Sequence, residues 1–239
     1  MLPIAILCGG LATRLWPITE TTPKSLLRIA GEPFLAHQLR LLQRNGFAQV
    51  VLCAGHMGSL IEDFAGDGSQ FGLQIRYSFD GDVPLGTAGA LRKATPLLGE
   101  RTFVLYGDSY LTCDYRAVEN GFLRSGKKGL MAVYRNEGLF DSSNVEFLDG
   151  KILRYQKRKQ TLSMHHIDYG LGVFRTEVFT LASAAETGDL ADTYSRLLVD
   201  GELAGYEIAE RFYEIGSVAG MRDTELFIQA RGGIQVGAL

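Results

Sequence analysis

The sequence has no CxxC pair, no Asn-x-Ser/Thr sequon, no basic excess and no long uncharged run. Each absence closes off a class of answer. The three cysteines, Cys8, Cys53 and Cys113, are odd in number and far apart, so they read as buried reduced thiols of a cytoplasmic protein. With 24 Lys+Arg against 27 Asp+Glu, the formal net charge is −3. A general duplex-binding surface needs a basic excess to displace counterions, so no nucleic-acid partner is expected. Anion binding must come from locally focused cations. No stretch approaches the roughly 18 uncharged residues of a membrane span, so no membrane partner is expected either. The apolar start, Met1-Leu2-Pro3-Ile4-Ala5-Ile6-Leu7, lacks a cationic flank and runs into Gly9-Gly10, unlike a signal peptide. The missing sequon fits a chain that never meets the secretory pathway.

What remains is an ordinary globular composition, 46% hydrophobic and 21% charged over 239 residues, which can bury a full core. Short apolar runs alternate with amphipathic stretches, the pattern of a layered α/β fold. Ile4 to Leu7 reads as a first buried strand, and Phe34 to Arg44 as a helix with Leu35, Leu39 and Leu42 on one face and Gly46 at its end. Gln49 to Ala54 then forms a second strand, parallel to the first with a right-handed crossover. Gln74 to Phe79 and Thr102 to Tyr106 read as further strands around a helix from Thr87 to Leu97. The middle changes character: Gly129 to Tyr134, Asn144 to Phe147, Lys151 to Tyr155 and Ile167 to Phe174 read as strands, with an Asp149-Gly150 hairpin turn. Val218 to Arg231 closes as a helix. The expectation is one domain over 1–231, a mostly parallel sheet flanked by helices with a small antiparallel insertion, and a tail over 232–239.

The strongest chemical feature is Leu7-Cys8-Gly9-Gly10-Leu11-Ala12-Thr13-Arg14-Leu15-Trp16-Pro17, followed by Pro23-Lys24. A glycine-rich turn leaving a buried strand presents backbone N–H groups outward. With no Cβ at Gly9 or Gly10, a planar base or a phosphate can lie against the chain. Arg14 adds a forked donor suited to phosphate oxygens, and Lys24 a mobile point charge. A strand-exit turn with solvated basic residues is the competing reading. The rival nucleotide motifs fail on spacing: there is no GxxxxGK[ST], and no GxGxxG with an acid near position 30, since Glu32 follows Gly31 in a turn.

Gly9 to Lys24 resembles the signature of sugar-1-phosphate nucleotidyltransferases, G-G-x-G-T-R-L-x-P-x-T followed by P-K. Leu85-Gly86-Thr87-Ala88-Gly89 resembles that family's second base-contacting segment, Gly107-Asp108 its metal-binding Gly-Asp, and Glu214-Ile215-Gly216 its D-x-G motif. The resemblance covers nearly the whole chain and implies a Rossmann-like fold that joins an NTP to a sugar 1-phosphate. It implies nucleotide contacts at Leu7, Gly9, Gly10, Leu11, Thr13, Gly86, Thr87 and Gly89, with Arg14 and Lys24 on the phosphates. It also implies Mg²⁺ on Asp108 and Glu214. Asp108 falls at the C-terminal end of a central strand, where open α/β sheets bind ligands, and a hard oxygen there suits Mg²⁺.

Lys157 stands where the family's E-K-P motif supplies a lysine to the sugar phosphate, with Gln156 and Arg158 replacing its flanks; a solvated basic face is the competing reading. Asp168-Tyr169-Gly170 occupies the sugar-contacting position. On a strand, Asp168 and Tyr169 point to opposite faces, so only one would bond hydroxyls from a given face. Asn144 either lines the sugar pocket or starts a strand. His165-His166 point oppositely and have no accompanying ligand cluster, so they read as structural or substrate-adjacent. Trp16 either stacks on a base or packs beside Pro17.

Two departures stand out. Ala12 replaces a glycine, which costs about 1 kcal/mol if φ is positive there, and Glu214 replaces an aspartate. They raise a second reading, a catalytically silent nucleotide-sugar-binding homologue with a regulatory role. A metal-dependent glycosyltransferase would need a D-x-D, which Asp108-Ser109-Tyr110 does not supply. Segment 85–89 and the length, with no room for a C-terminal β-helix, look most like guanylyltransferases acting with GTP on manno-heptose or mannose 1-phosphate. Short uridylyltransferases acting on amino-sugar 1-phosphates are the alternative. Self-association into a homo-oligomer is compatible with the sequence.

Overall fold

A computed structural model describes residues 1–10, 12–157, 159–180 and 187–232, without the side chain of Arg14. In chain order the first half comprises β1 (Ile4–Leu7), β2 (Arg28–Ile29), β3 (Glu32–Pro33), α1 (Phe34–Arg44), β4 (Gln49–Ala54), α2 (Gly58–Ala65), β5 (Gln74–Phe79), α3 (Gly86–Leu98) and β6 (Arg101–Tyr106). The second half comprises β7 (Ser109–Tyr110), α4 (Tyr115–Ser125), β8 (Gly129–Arg135), β9 (Val145–Leu148), β10 (Lys151–Tyr155), β11 (His166–Arg175), α5 (Glu177–Thr180), α6 (Leu190–Val199), β12 (Leu203–Ile208), β13 (Tyr213–Glu214) and α7 (Val218–Gly232).

Strands β1, β4, β5 and β6 are parallel, with β1 in the centre pairing β4 on one side and β6 on the other. Only then does the chain reverse. β11 runs antiparallel to β6 and β8, while β12 runs parallel to β8, and the β9–β10 hairpin attaches to the start of β11. The antiparallel strands expected in the middle extend the same sheet. The Asp149-Gly150 turn is as expected, with positive φ at both residues.

Alternation along each buried strand feeds two cores. Ile4 and Ile6, Val50 and Leu52, and Phe103 and Leu105 face the layer of α1, α2 and α4; Ala5, Val51 and Val104 face α3, α5 and α6. A sheet covered on both faces requires near-continuous apolar strands, which is why the run Val50 to Ala54 carries no charge. Helices α4 and α6 and strand β12 were not expected. Asp114 caps α4 through Ala117 N–H and Asp189 caps α6 through Ala191 N–H.

The parallel strands end together at one edge, so their exit loops converge. Phe103 anchors that arrangement from beneath, fully buried and edge-on to Phe47 and Tyr115. Phe103→Ala is expected to lower the unfolding free energy by about 3–5 kcal/mol, read from the urea midpoint. A change below about 1 kcal/mol would contradict this packing role.

Candidate active site

A cleft of about 910 Å³ opens where β1, β4, β5 and β6 end and β11 begins. Most of the residues singled out in the sequence line it: Leu7, Gly9, Gly10, Thr13, Lys24, Gly86, Thr87, Asp108, Asn144, Lys157, Asp168, Tyr169 and Glu214. Gly89 is buried on α3 and does not line it. Trp16 is exposed and also lies outside the lining. Leu11 and the side chain of Arg14 lie outside the described residues.

The glycine turn is shaped by close backbone approach. A Cβ on Gly9 would lie 3.0 Å from Gly55 N and 3.3 Å from Asp80 Oδ2, so the chain leaving β1 passes tightly against the chain leaving β4 and a side chain there would push it back. Gly10 faces open space, leaving its backbone accessible. Ala12 then takes a left-handed conformation, φ 48 and ψ 40, where its carbonyl accepts from Leu15 N–H and the Thr19 hydroxyl. The positive φ that the glycine pattern implied is real, and an alanine occupies it.

At the centre, Lys24 Nζ lies 2.6 Å from Asp108 Oδ2. Gly107 cannot carry a Cβ, which would strike the Leu7 carbonyl, so β6 delivers Asp108 directly beside the glycine turn. Glu214 reaches the same point through β13, which pairs with β7. Its Oε2 accepts from Gly216 N–H and its Oε1 from Ser217 Oγ. A Cβ on Gly216 would sit 2.6 Å from Glu214 Oε2, 3.1 Å from Lys24 Nζ and 3.5 Å from Asp108 Oδ2. The three charged groups thus converge on one small volume, and the extra methylene of Glu214 is absorbed by glycine at 216 and 220. No set of three or more His, Cys, Asp or Glu poised for a metal occurs among the described residues. Two carboxylates do suit Mg²⁺, which takes its remaining oxygens from phosphate and water.

At the other end, Tyr106 Oη donates to Asp168 Oδ2 at 2.9 Å, Gly170 N–H donates to Asp168 Oδ1, and Asn144 Oδ1 accepts from Asp168 N–H. Burial pushes the Asp168 carboxyl above its usual range, against the pull of those donors and of Lys157. A register shift between Asp168 and Gly172, with φ +87 at Gly170, places a bulge beside the site. Strand alternation still holds: Asp168 faces Tyr106, while the Tyr169 ring packs on the opposite core near Tyr134 and Phe212. The Tyr169 hydroxyl is buried without a partner among the described residues. Lys157 Nζ lies 2.6 Å from Asp189 Oδ2. His165 and His166 pair with Glu137 and Glu207 respectively, away from the cleft.

Among the lining residues not singled out in the sequence are Asp80, Tyr106, Tyr155 and Asp189. Asp80 carried a readable signal, an acid leaving a parallel strand just before Gly81. Burial raises its carboxyl above the ordinary value, opposed by Leu85 N–H and Lys93. The partnership of Asp189 with Lys157 carried no such signal, since it spans 32 positions.

The cleft is glycine-lined and acid-tipped, at the strand ends of the parallel part of an α/β sheet. The chain belongs to the nucleotidyl transferase family, whose model matches residues 4–230. It is 31% identical over 234 residues to the UTP–glucose-1-phosphate uridylyltransferase of Synechocystis sp., covering 89% of this chain and 60% of that one. It is 28% identical over 226 residues to the N-acetylmuramate alpha-1-phosphate uridylyltransferase of Neisseria meningitidis serogroup B, covering 92% and 95%. It is 28% identical over 217 residues to the mannose-1-phosphate guanyltransferase beta-A of Xenopus laevis, covering 88% and 60%. The chain therefore spans about 60% of the length of two of these relatives. A Bacillus anthracis protein crystallised with sucrose shares the fold, with a TM-score of 0.83, 22% identity and 94% of each chain covered.

Because Ala12 holds a left-handed conformation, Ala12→Gly should raise the unfolding free energy by about 0.5–1 kcal/mol, after allowing for the greater freedom of glycine in the unfolded chain. Chemical denaturation measures it. An unchanged or lower midpoint would show that the alanine is not strained.

Proposed function

We propose that this protein is a sugar-1-phosphate nucleotidyltransferase, joining an NTP and a sugar 1-phosphate into an NDP-sugar with release of pyrophosphate. The observation that carries the reading is the convergence of Lys24, Asp108 and Glu214 beside the Gly9-Gly10 turn, in one cleft with Lys157 and Asp168. One oxygen of the sugar phosphate attacks the α-phosphorus in line. A new P–O bond forms, the bond from the α-phosphorus to the bridging β-oxygen breaks, and pyrophosphate leaves with that electron pair. The nucleophile is already an anion, so no general base and no covalent enzyme intermediate are required. Catalysis is then positioning and charge neutralisation.

In this reading the Gly9-Gly10 backbone and the Gly86-Thr87 segment hold the nucleotide, together with Leu7, Leu11, Thr13 and Gly89. Arg14 neutralises the leaving phosphates, Lys24 the α-phosphate, and Lys157 positions the attacking phosphate. Asp168 accepts from sugar hydroxyls, with Asn144 holding its backbone. Tyr169 shapes the pocket by packing. Mg²⁺ held by Asp108 and Glu214 would neutralise phosphate oxygens. Residues 1–231 are read as one domain, since the cleft draws on residues from Leu7 to Ser217.

For the substrates, Leu85-Gly86-Thr87-Ala88-Gly89 favours GTP with a manno-heptose or mannose 1-phosphate, and the guanyltransferase relative supports that choice. Both uridylyltransferase relatives support UTP as the alternative base, and the one named for N-acetylmuramate 1-phosphate supports an amino-sugar 1-phosphate with it. The residue departures at Ala12 and Glu214 keep a silent, nucleotide-sugar-binding regulator as the reading from another class. A cytoplasmic location follows from the reduced cysteines. No nucleic acid or membrane enters the reaction, and a homo-oligomer is compatible with it.

The test is pyrophosphate release across NTPs and sugar 1-phosphates with Mg²⁺. Turnover with one base and one sugar class is expected; binding without turnover anywhere would leave the regulatory reading. Lys24→Ala and Asp108→Ala should each lower turnover at least about 100-fold, since each removes a charge aimed at the transition state. Near-normal rates in either variant would refute its role. Removing the metal with EDTA should abolish turnover, and excess Mg²⁺ should restore it.

A further inference from the structure

Asp189 belongs to none of the family-like motifs, yet it touches three parts of the cleft at once. Its Oδ2 lies 2.6 Å from Lys157 Nζ. Its Oδ1 accepts from Ala191 N–H, capping α6 at 3.0 Å, and from the Thr87 hydroxyl at 3.3 Å. The Thr87 oxygen in turn accepts from Leu190 N–H at 2.7 Å. The backbone seals the same junction: Gly188 N–H donates to the Leu85 carbonyl, and Ala88 N–H donates to the Gly188 carbonyl. Gly86 has no room for a side chain, because a Cβ would sit 2.5 Å from the Gly188 oxygen. The turn before α6 is thus fastened to the segment that leads into α3.

We infer that Asp189 is a positioning residue: it fixes the Lys157 ammonium at the edge of the nucleotide-binding segment, so that the two substrates meet in one register. The inference rests on the reading of Lys157 as the ligand of the sugar phosphate. An ammonium has three donors, and the one given to Asp189 leaves two for phosphate oxygens. Lys157 otherwise sits on an exposed segment with four flexible methylenes, so without an anchor it would sample many positions. Burial alone would raise the Asp189 carboxyl, but the Lys157 bond, the Ala191 N–H and the Thr87 hydroxyl hold it below the ordinary range. It therefore stays anionic wherever the protein is folded near neutral pH. A carboxylate this close to a phosphate dianion repels it, so its place is explained by how it fixes Lys157 and not by any direct attraction for the sugar phosphate.

The decisive variant is Asp189→Asn, because asparagine caps helices as well as aspartate and can still accept from Thr87 and Ala191. Steady-state pyrophosphate release should show KM for the sugar 1-phosphate raised about 10-fold, with KM for the NTP within twofold of wild type and an unchanged melting temperature. The double variant with Lys157→Ala should be no worse than Lys157→Ala alone. A normal sugar-phosphate KM, an equal loss for both substrates, or additive losses in the double variant would overturn the inference. A wild type that turns over no substrate pair would sink the proposed activity instead. The ion pair is then read from acylation of Lys157 by an N-hydroxysuccinimide ester, followed by peptide mass spectrometry. Faster labelling of Lys157 in Asp189→Asn supports the anchor, and equal labelling overturns it.

Discussion

Everything at this site depends on the parallel seating of β1 between β4 and β6. Three glycines let the backbones approach: Gly9 and Gly55 against each other, and Gly107 against the Leu7 carbonyl. That contact brings the glycine turn, which follows β1, and Asp108, which follows β6, to one edge of the sheet. A side chain at Gly107 would force β6 away from the Leu7 carbonyl and so separate the two halves of the proposed phosphate site. Burial of both sheet faces then fixes the edge in place, because a slip of one residue would exchange the two apolar cores.

The charge pattern follows the same logic. Lys24 and Lys157, which line the cleft, are each held by a carboxylate 2.6 Å away. Partly exposed pairs like these contribute only about 0–1 kcal/mol to stability, so their value is positional. They let a chain of net charge −3 present aimed cations to a polyanion. In the proposed reaction, bound phosphates would share each ammonium with its carboxylate. Rigid pairing of this kind suits a transferase, whose rate depends on reactants held in line.

The sheet was legible because its strands are uncharged runs and its first helix has a clean apolar face. The order β1-α1-β4 could be read directly, and so could the acid at the end of β6. Strand β12 escaped notice because Ala204 and Gly205 break its apolar run; Gly205 is small because the Phe147 ring lies where its Cβ would be. Helices α4 and α6 carried readable signals, an aspartate cap and buried positions such as Tyr115, Val118 and Phe122, that went unused. In the site, residues within one loop were legible and partnerships were not. Lys157 with Asp189 and Tyr106 with Asp168 are set by tertiary crossing, which leaves no local pattern. Tyr169 shows the same limit: its place on the strand was clear, but its burial in an aromatic cluster was not.

The central claim is that the acid delivered by β6 reads a metal-bound nucleotide beside the glycine turn. Titration calorimetry of GTP and UTP, with and without Mg²⁺, into wild type and Asp108→Asn tests it most directly. The account predicts that Mg²⁺ tightens the preferred nucleotide at least about 10-fold in wild type, equivalent to about 1.4 kcal/mol, and not in the variant. Equal metal dependence in the two proteins, or none in wild type, would contradict it.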